Sequence, residues 1–395
     1  MAAMRRLGII SQAMNANRTF VEFFAGGGMA RLGLGPGWRC LFANDIDPVK
    51  GEVYRDNFGD DVMKVGDVWD VVESELPGRA DLAWASFPCQ DLSLAGRRAG
   101  LAGERSGTFY GFWRLVDALE KQGRAPRTVV LENVAGVLTS NGGHDFKEIV
   151  DCLVTSGYRC GALEVDAAHF TPQSRPRLFF VGSREPFPAS LLRQKAPEDW
   201  EAFGLTAGVL AAVRRLPLPL QRSWCWLNAP TPPARNIDLE AIIERDLPKD
   251  AWHSASQTKR LYALMSERHL ARLAAAKKGG GFQVGAVFRR MRSEDGERVQ
   301  RAEVRFDGIA GCLRTPQGGS SRQMLIVVDQ GAARTRPMTP RETARLMGLA
   351  DDYKLPAGAT AALKVTGDGV AVPVVAWLAR CILEPLLKRT AAKAA

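Results

Sequence analysis

Long apolar runs are missing from this 395-residue sequence. No uninterrupted stretch approaches the ~20 residues that cross a bilayer, so no membrane span is expected. Cys-x-x-Cys pairs are missing as well. Cys40, Cys89, Cys152, Cys160, Cys225, Cys312 and Cys381 stand apart, which argues against a zinc site or a disulfide framework and for a reducing cytosol where a reactive thiol survives. The opening stretch Met1 to Arg18 has neither the core nor the cleavage pattern of a signal peptide. There are no internal repeats and, apart from an Ala-rich tail expected to fray, no low-complexity tracts. What is present is a chain too long for one ordinary domain, with 46% apolar residues to fill a sizeable core. A net charge of +10 and a pI of 9.4 favour a polyanionic partner.

From Thr19 to about Gly182, short apolar runs alternate with helix-like stretches. Strands are expected at Thr19–Phe24, Arg39–Ala43, Asp81–Ala85, Thr128–Leu131, Tyr158–Val165 and Leu178–Val181, with helices over Thr108–Glu120 and Asp145–Ser156. That alternation predicts an α/β fold, a Rossmann-like mostly parallel sheet with helices on both faces. Beyond Arg184 prolines break the pattern. A helix is expected from Ser254 to Lys278, then Gly279–Gly281, a β-rich region and the apolar run Met324–Val328. The expected division is a domain at 1–185, a smaller irregular β-containing lobe at 186–333, and a segment at 334–395 of helix and strand packing back on the first. Residues 251–305 carry twelve Lys and Arg against five Asp and Glu, which suits phosphate contacts as well as a solvated helix face.

Chemistry concentrates at the predicted strand ends. Ser86-Phe87-Pro88-Cys89-Gln90 follows the apolar run ending at Ala85 and puts Cys89 on a loop at a strand's carboxyl end, where open α/β sheets bind ligands. Glu132 of Glu132-Asn133-Val134 is placed just past the next strand. Gln173-Ser174-Arg175-Pro176-Arg177 carries two arginines that alternate at a strand entrance and so point one way. A thiol, a carboxylate and a guanidinium pair suit covalent attack on a polar heterocycle. Upstream, Val21–Met29 runs from a strand into Gly26-Gly27-Gly28, a turn that lets backbone approach a ligand. Arg31 spoils the G-x-G-x-x-G pyrophosphate fingerprint. Asn44-Asp45-Ile46-Asp47 adds an acid after the second strand, suited to ribose hydroxyls, and Gly66-Asp67-Val68 another at the third crossover, suited to an adenine amino group.

In order and wording these motifs resemble the DNA (cytosine-5) methyltransferase family over roughly the first 185 and last 60 residues. The resemblance implies that S-adenosyl-L-methionine is the cofactor, met by Phe24, Ala25, Gly26, Gly28, Asp45, Ile46, Asp67, Pro88, Asp368 and Val370. It implies Cys89 as nucleophile on carbon 6 of a flipped-out cytosine, with Glu132, Arg175 and Arg177 as its catalytic companions. Gln90, Ser93, Arg97, Gln173, Arg314, Gln317 and Arg322 are the implied substrate contacts, and the glycine-spaced stretch Ala95–Gly107 reads as a lid. Arg336–Gly348 resembles the family's ninth motif and Val365–Val374 its tenth. This chain departs from the family at Glu22 and Asp45, where aspartate and glutamate are usual, and at Asp368, where the family has asparagine. The implied partner is double-stranded DNA read by the 186–333 lobe, with no membrane, a monomer active alone, and a cognate restriction endonuclease left open. The implied setting is cytoplasmic and nucleoid-associated, bacterial or phage-encoded. A tRNA cytosine-5 methyltransferase on the same framework and a non-catalytic DNA-binding relative are the alternatives.

Overall fold

The computed structural model describes residues 18–88, 107–197, 202–294, 296–315 and 322–388. Seven strands form one sheet: β1 (Arg18–Phe23), β2 (Trp38–Asp45), β3 (Met63–Val65), β4 (Leu82–Ala85), β5 (Thr128–Val134), β6 (Arg159–Asp166) and β7 (Pro176–Ser183). Their spatial order is β3-β2-β1-β4-β5-β7-β6. Pairs from β3 through β5 are parallel, and β7 runs antiparallel to β5. Strand β4 (LAWA) is buried throughout and β5 (TVVLENV) nearly so, as expected of strands covered on both faces. The helix Thr108–Lys121 lays down one apolar stripe of Phe109, Phe112, Trp113, Leu115, Val116 and Leu119.

A second sheet contains β8 (Phe282–Glu294), β9 (Glu297–Arg305), β10 (Met324–Asp329) and β11 (Ala332–Pro337), in the order β11-β10-β8-β9 with every pair antiparallel. Val287, Ala302, Val304, Met324, Ile326 and Val328 of this sheet pack against Leu261, Met265, Leu273 and Ala276. The chain resolves into two compact units. One holds the described residues of Met1–Val165, Pro176–Thr231 and Val374–Ala395; the other holds those of Asp166–Arg175 and Pro232–Pro373.

Three expectations need correction. The helix foreseen over Ser254–Lys278 is two, Ala255–Ala263 and Glu267–Gly279. Leu264 lies between them, and its carbonyl accepts Ala302 N at 2.9 Å, so the strand edge takes a group the helix would have used. Strand β5 extends beyond Leu131 because Val134 still pairs with Arg177, which places Glu132 inside the strand rather than past it. In the segment from residue 334 on, strand is confined to the end of β11 at Pro337; beyond it the described residues contain no strand, and Pro340–Leu346, Ala359–Asp368, Val372–Leu378 and Glu384–Leu387 are helical. By length and composition Ala359–Leu387 could cross a bilayer, with mean hydropathy 1.8 in its most apolar window. Of that window 61% is buried, so most of its apolar surface is already spent within the fold.

Two buried charges generate predictions. Glu22, next to last in β1, is 1% exposed, and its Oε2 has no hydrogen-bond partner among the described residues. Burial pushes its carboxyl up to about 8, opposed by Arg31 and assisted by Asp45. The folded chain therefore keeps a proton that the unfolded chain releases near an ordinary carboxylate pKa, and this group erodes stability as pH rises from that range to about 8. Glu22→Gln is expected to raise the melting temperature above wild type, by a margin that is small near pH 5 and widens towards pH 8. Arg336 and Glu342 are both fully buried and joined by bonds of 2.7 and 2.5 Å, while Glu342 also closes the capping box with Thr339 at the start of Pro340–Leu346. Removing one partner strands the other charge, so Glu342→Ala should cost about 3–5 kcal/mol in urea unfolding.

Candidate active site

The sheet order reverses direction between β1 and β4, which both run parallel and adjacent. Two loops leave the carboxyl ends of these strands side by side, the position where open α/β sheets hold ligands. After β1, Phe24 takes φ 56°, a left-handed conformation that costs a non-glycine residue of order 1–2 kcal/mol. Gly26 (φ 55°) and Gly28 (φ 79°) complete the turn into the helix Met29–Leu34. A Cβ on Gly28 would fall 2.3 Å from the Phe58 ring, so only glycine fits there. At Gly26 a Cβ would meet nothing within 4 Å, which leaves open space above the turn.

Asp45 closes β2 and braces this turn. Its Oδ2 accepts Gly26 N at 2.8 Å and its Oδ1 accepts Asp47 N at 2.9 Å. Burial pushes the Asp45 carboxyl above its ordinary range, against the pull of Lys50 and of the two N–H donors. Its neighbour Ile46 is 66% exposed. Asn44 donates to the carbonyls of Lys64 (3.1 Å) and Gly66 (2.9 Å), which ties β2 to the loop carrying Asp67. Asp67 accepts Trp69 N at 3.0 Å and starts a short 3₁₀ turn.

On the other side of the reversal, β4 ends in Ser86-Phe87-Pro88, with Phe87 buried and Pro88 exposed. Asn133 Nδ2 donates to Phe87 O at 3.1 Å and thereby anchors the chain just before residue 89. Beside it on β5, Glu132 is 7% exposed, and its Oε1 lies 3.1 Å from Arg177 Nε. Val134 pairs with Arg177 across the ladder, so Glu132 and Arg177 are diagonal neighbours on one face. Arg177 also donates to Pro176 O at 2.9 Å. Sequence reading missed Asn44 and Asn133 as braces; an asparagine beside an acid at a strand's carboxyl end was the only signal.

The second unit holds the other residues expected to function, and there two assignments change. Arg175 was expected to present its guanidinium beside that of Arg177. Instead it is 2% exposed and donates to the carbonyls of Leu313 (3.0 Å), Gly367 (2.9 Å) and Gly369 (2.7 Å). Gln173 was expected to contact substrate, but it is fully buried. Its Nε2 donates to Leu346 O at 3.1 Å and its Oε1 accepts Leu313 N at 3.0 Å. Both side chains satisfy backbone groups that would otherwise be buried and unpaired. Asp368 accepts a hydrogen bond from Thr315 Oγ1, and Val370 is buried. Arg314 and Arg322 are exposed at the rim of a small cavity lined by Leu313, Met338, Thr343 and Thr366, and Arg322 donates to Thr360 Oγ1 at 3.1 Å. Cys89, Gln90, Ser93, Arg97, Gln317 and the lid stretch up to residue 106 lie outside the described residues.

Comparison with known proteins now bears on this geometry. The sequence matches the family model for C-5 cytosine-specific DNA methylase over residues 18–384. It is 26% identical to the Type II methyltransferase M.HpaII of Haemophilus parainfluenzae, across 93% of this chain and 90% of that protein. It is also 26% identical to the Type II methyltransferase M.HhaI of Haemophilus parahaemolyticus, across 91% and 92%. The solved structure of S. pombe Dnmt2 methyltransferase shares the fold, with TM-score 0.57 at 16% identity over 94% of this chain and 99% of that one. Because the family match opens at the first residue of β1 and takes in every strand of both sheets, the chain belongs to the C-5 cytosine-specific DNA methylase family and is a DNA (cytosine-5) methyltransferase, an activity that implies S-adenosylmethionine as methyl donor.

Proposed function

We propose that this enzyme methylates carbon 5 of a cytosine extruded from duplex DNA, with Cys89 as nucleophile, Glu132 as the acid facing the ring and Arg177 as the guanidinium that orients it. The observation that carries the reading is the Glu132–Arg177 pair on adjacent strands, beside the Asn133 amide that anchors Phe87, two residues before Cys89. Carbon 5 of cytosine is a poor nucleophile until a thiolate adds at carbon 6. The new S–C6 bond breaks the ring's 5,6 double bond and pushes an electron pair towards carbon 5, while a proton delivered at nitrogen 3 relieves charge on the ring. Glu132, held in place by Arg177, is proposed to face that nitrogen and the exocyclic amine. Carbon 5 then takes a methyl group. Loss of its proton to water and departure of the thiolate restore the ring. A cytosine stacked in a helix must leave it for this to happen.

The turn after β1 fits the donor. Open space over Gly26, the exposed Ile46 side chain, and carboxylates at Asp45 and Asp67 offer an apolar surface and hydroxyl acceptors around the glycine backbone. We assign Phe24, Ala25, Gly26 and Gly28 to the turn that approaches the donor, Asp45 to its ribose, Ile46 to its adenine face, Asp67 to its adenine edge, and Pro88 to the same pocket. Bound there, S-adenosylmethionine supplies an electrophilic methyl group. Relatives matched over most of their length are Type II methyltransferases, which does not favour a tRNA substrate or a silent DNA-binding relative. The same relatives support a cytoplasmic enzyme in a restriction-modification setting, with a cognate endonuclease as partner, and we propose that it acts as a monomer. Arg314 and Arg322, and Gln317 beyond the described residues, are proposed DNA contacts.

With labelled S-adenosylmethionine and DNA containing 5-fluorocytosine, the blocked elimination should leave a denaturation-stable labelled protein–DNA adduct. Cys89→Ser should yield none; an adduct that survives in the variant assigns the nucleophile elsewhere. Glu132→Gln removes the acid while keeping shape, and its kcat should fall by about 10²–10⁴-fold with little change in the KM for the donor. A loss confined to that KM would move Glu132 out of the chemistry.

A further inference from the structure

We infer that Glu22 is a specificity-determining residue that senses the charge of the methyl donor: it releases a proton when a cationic donor occupies the turn after β1 and takes one back once the methyl group has left. This rests on the assignment of that turn to S-adenosylmethionine. Glu22 stands two residues before Phe24, where the turn begins. In the sheet it lies between Ala43 of β2 and Trp84 of β4. Phe23 packs on Phe42 and Phe112, so strand alternation turns Glu22 to the opposite face. A shift of register between Phe20 and Val21 puts Cys40 on the Glu22 side and Phe42 on the Phe23 side.

The groups around Glu22 leave its carboxyl without a counter-ion. From the first helix, Arg31 pulls towards ionisation, but its guanidinium is engaged elsewhere: Nη1 donates to Tyr54 Oη at 3.3 Å, and the group lies 4.6 Å over the Phe58 ring. Tyr54 Oη and Cys40 Sγ are 3.4 Å apart, and Cys40 also donates to Phe42 O. Burial, with Glu22 beside them, pushes the Cys40 thiol up to about 11 and the Tyr54 hydroxyl higher still, so both stay neutral. On the other side β4 brings Leu82, Ala83, Trp84 and Ala85, none of them charged. Asp45 adds a like charge, and Lys50 acts on Asp45. A buried acid with no partner of its own is satisfied by a proton, or by a positive charge from outside the chain.

Asp45 shows that charge at the turn reaches Glu22. Its Oδ2 holds Gly26 N at 2.8 Å, and its negative charge favours the protonated form of Glu22. A positive charge at the same turn acts in the opposite sense. The donor has a sulfonium, whereas the product left after methyl transfer is a neutral thioether. By linkage, a ligand that drives the proton off Glu22 binds more tightly as pH rises. Well below neutrality Glu22 is protonated in the free and the bound protein, and affinity is flat. It climbs as the bound form ionises and levels above about 8, where the free form has ionised too. The product lacks the sulfonium, so preference for donor over product grows with pH.

Titration calorimetry of the full chain, in buffers of differing ionisation enthalpy, counts the protons exchanged as S-adenosylmethionine binds. Near pH 7.5 the wild type should release about half a proton more than Glu22→Gln. Between about pH 6.5 and 8.5 the ratio of its affinities for S-adenosylmethionine and S-adenosylhomocysteine should rise about fivefold. That ratio should stay level in Glu22→Gln, and Glu22→Asp, which keeps the acid, should restore the rise. Taking the ratio cancels the titration of the amino group that both ligands share. Equal proton release by wild type and Glu22→Gln overturns the proposal. A wild-type ratio that is flat over this range overturns it as well, and needs no variant to fold. Absence of S-adenosylmethionine binding at every pH is a separate result, which overturns the donor assignment and the role of Glu22 with it.

Discussion

The reversal of strand order between β1 and β4 is the constraint on which the first unit depends. With β1 hydrogen-bonded to β2 on one side and to β4 on the other, all parallel, the chain after each strand is delivered to the same edge of the sheet. Helices connecting to opposite sides leave a crevice at that point. The glycine turn, Asp45, the Ser86-Phe87-Pro88 segment and Glu132 reach that edge from strands whose apolar residues specify nothing about chemistry. Burial drives the sheet together, and its geometry then presents the polar ends of its strands in one place.

Loops at that edge carry backbone groups that no ladder satisfies, and polar side chains brace them. Asp45 takes the Gly26 N–H, Asn44 donates to two carbonyls across the β2–β3 edge, and Asn133 donates to Phe87 O. In the second unit Gln173 and Arg175 do the same for the backbone at Leu313, Leu346, Gly367 and Gly369. Leaving one such group buried and unpaired would cost of order 1–3 kcal/mol. Residues that a sequence offers as ligands can thus be consumed in holding the frame, as the amide of Gln173 and the guanidinium of Arg175 are.

Much of the frame was legible because buried parallel strands write themselves as short apolar runs. Six strands of the large sheet and the helices at Thr108 and His144 fall within two residues of where periodicity puts them at their N-terminal ends. Strand β3, only three residues long, left no such trace. The antiparallel setting of β7 could not be read from composition, since strand direction is a property of the pairing. The break at Leu264 lay equally out of reach: it depends on Ala302, 38 positions away, claiming a helical carbonyl.

By itself the sequence determined the order of strand-end motifs and hence the chemistry. A thiol, a carboxylate and two arginines at those positions match the family's reaction whatever their exact contacts. Tertiary structure decided which of those groups remain available. Arg175 and Arg177 are two residues apart and look interchangeable in the sequence, yet one is spent on three carbonyls and the other meets Glu132. It decided also, through the β8–β9 register, that Arg290, Arg292 and Arg301 share a face with Glu294 and Glu303 and pair with them there. The physical reason is the same in both cases. A guanidinium whose donors are taken up by buried backbone has little left to offer a ligand, and partners distant in sequence are chosen by packing.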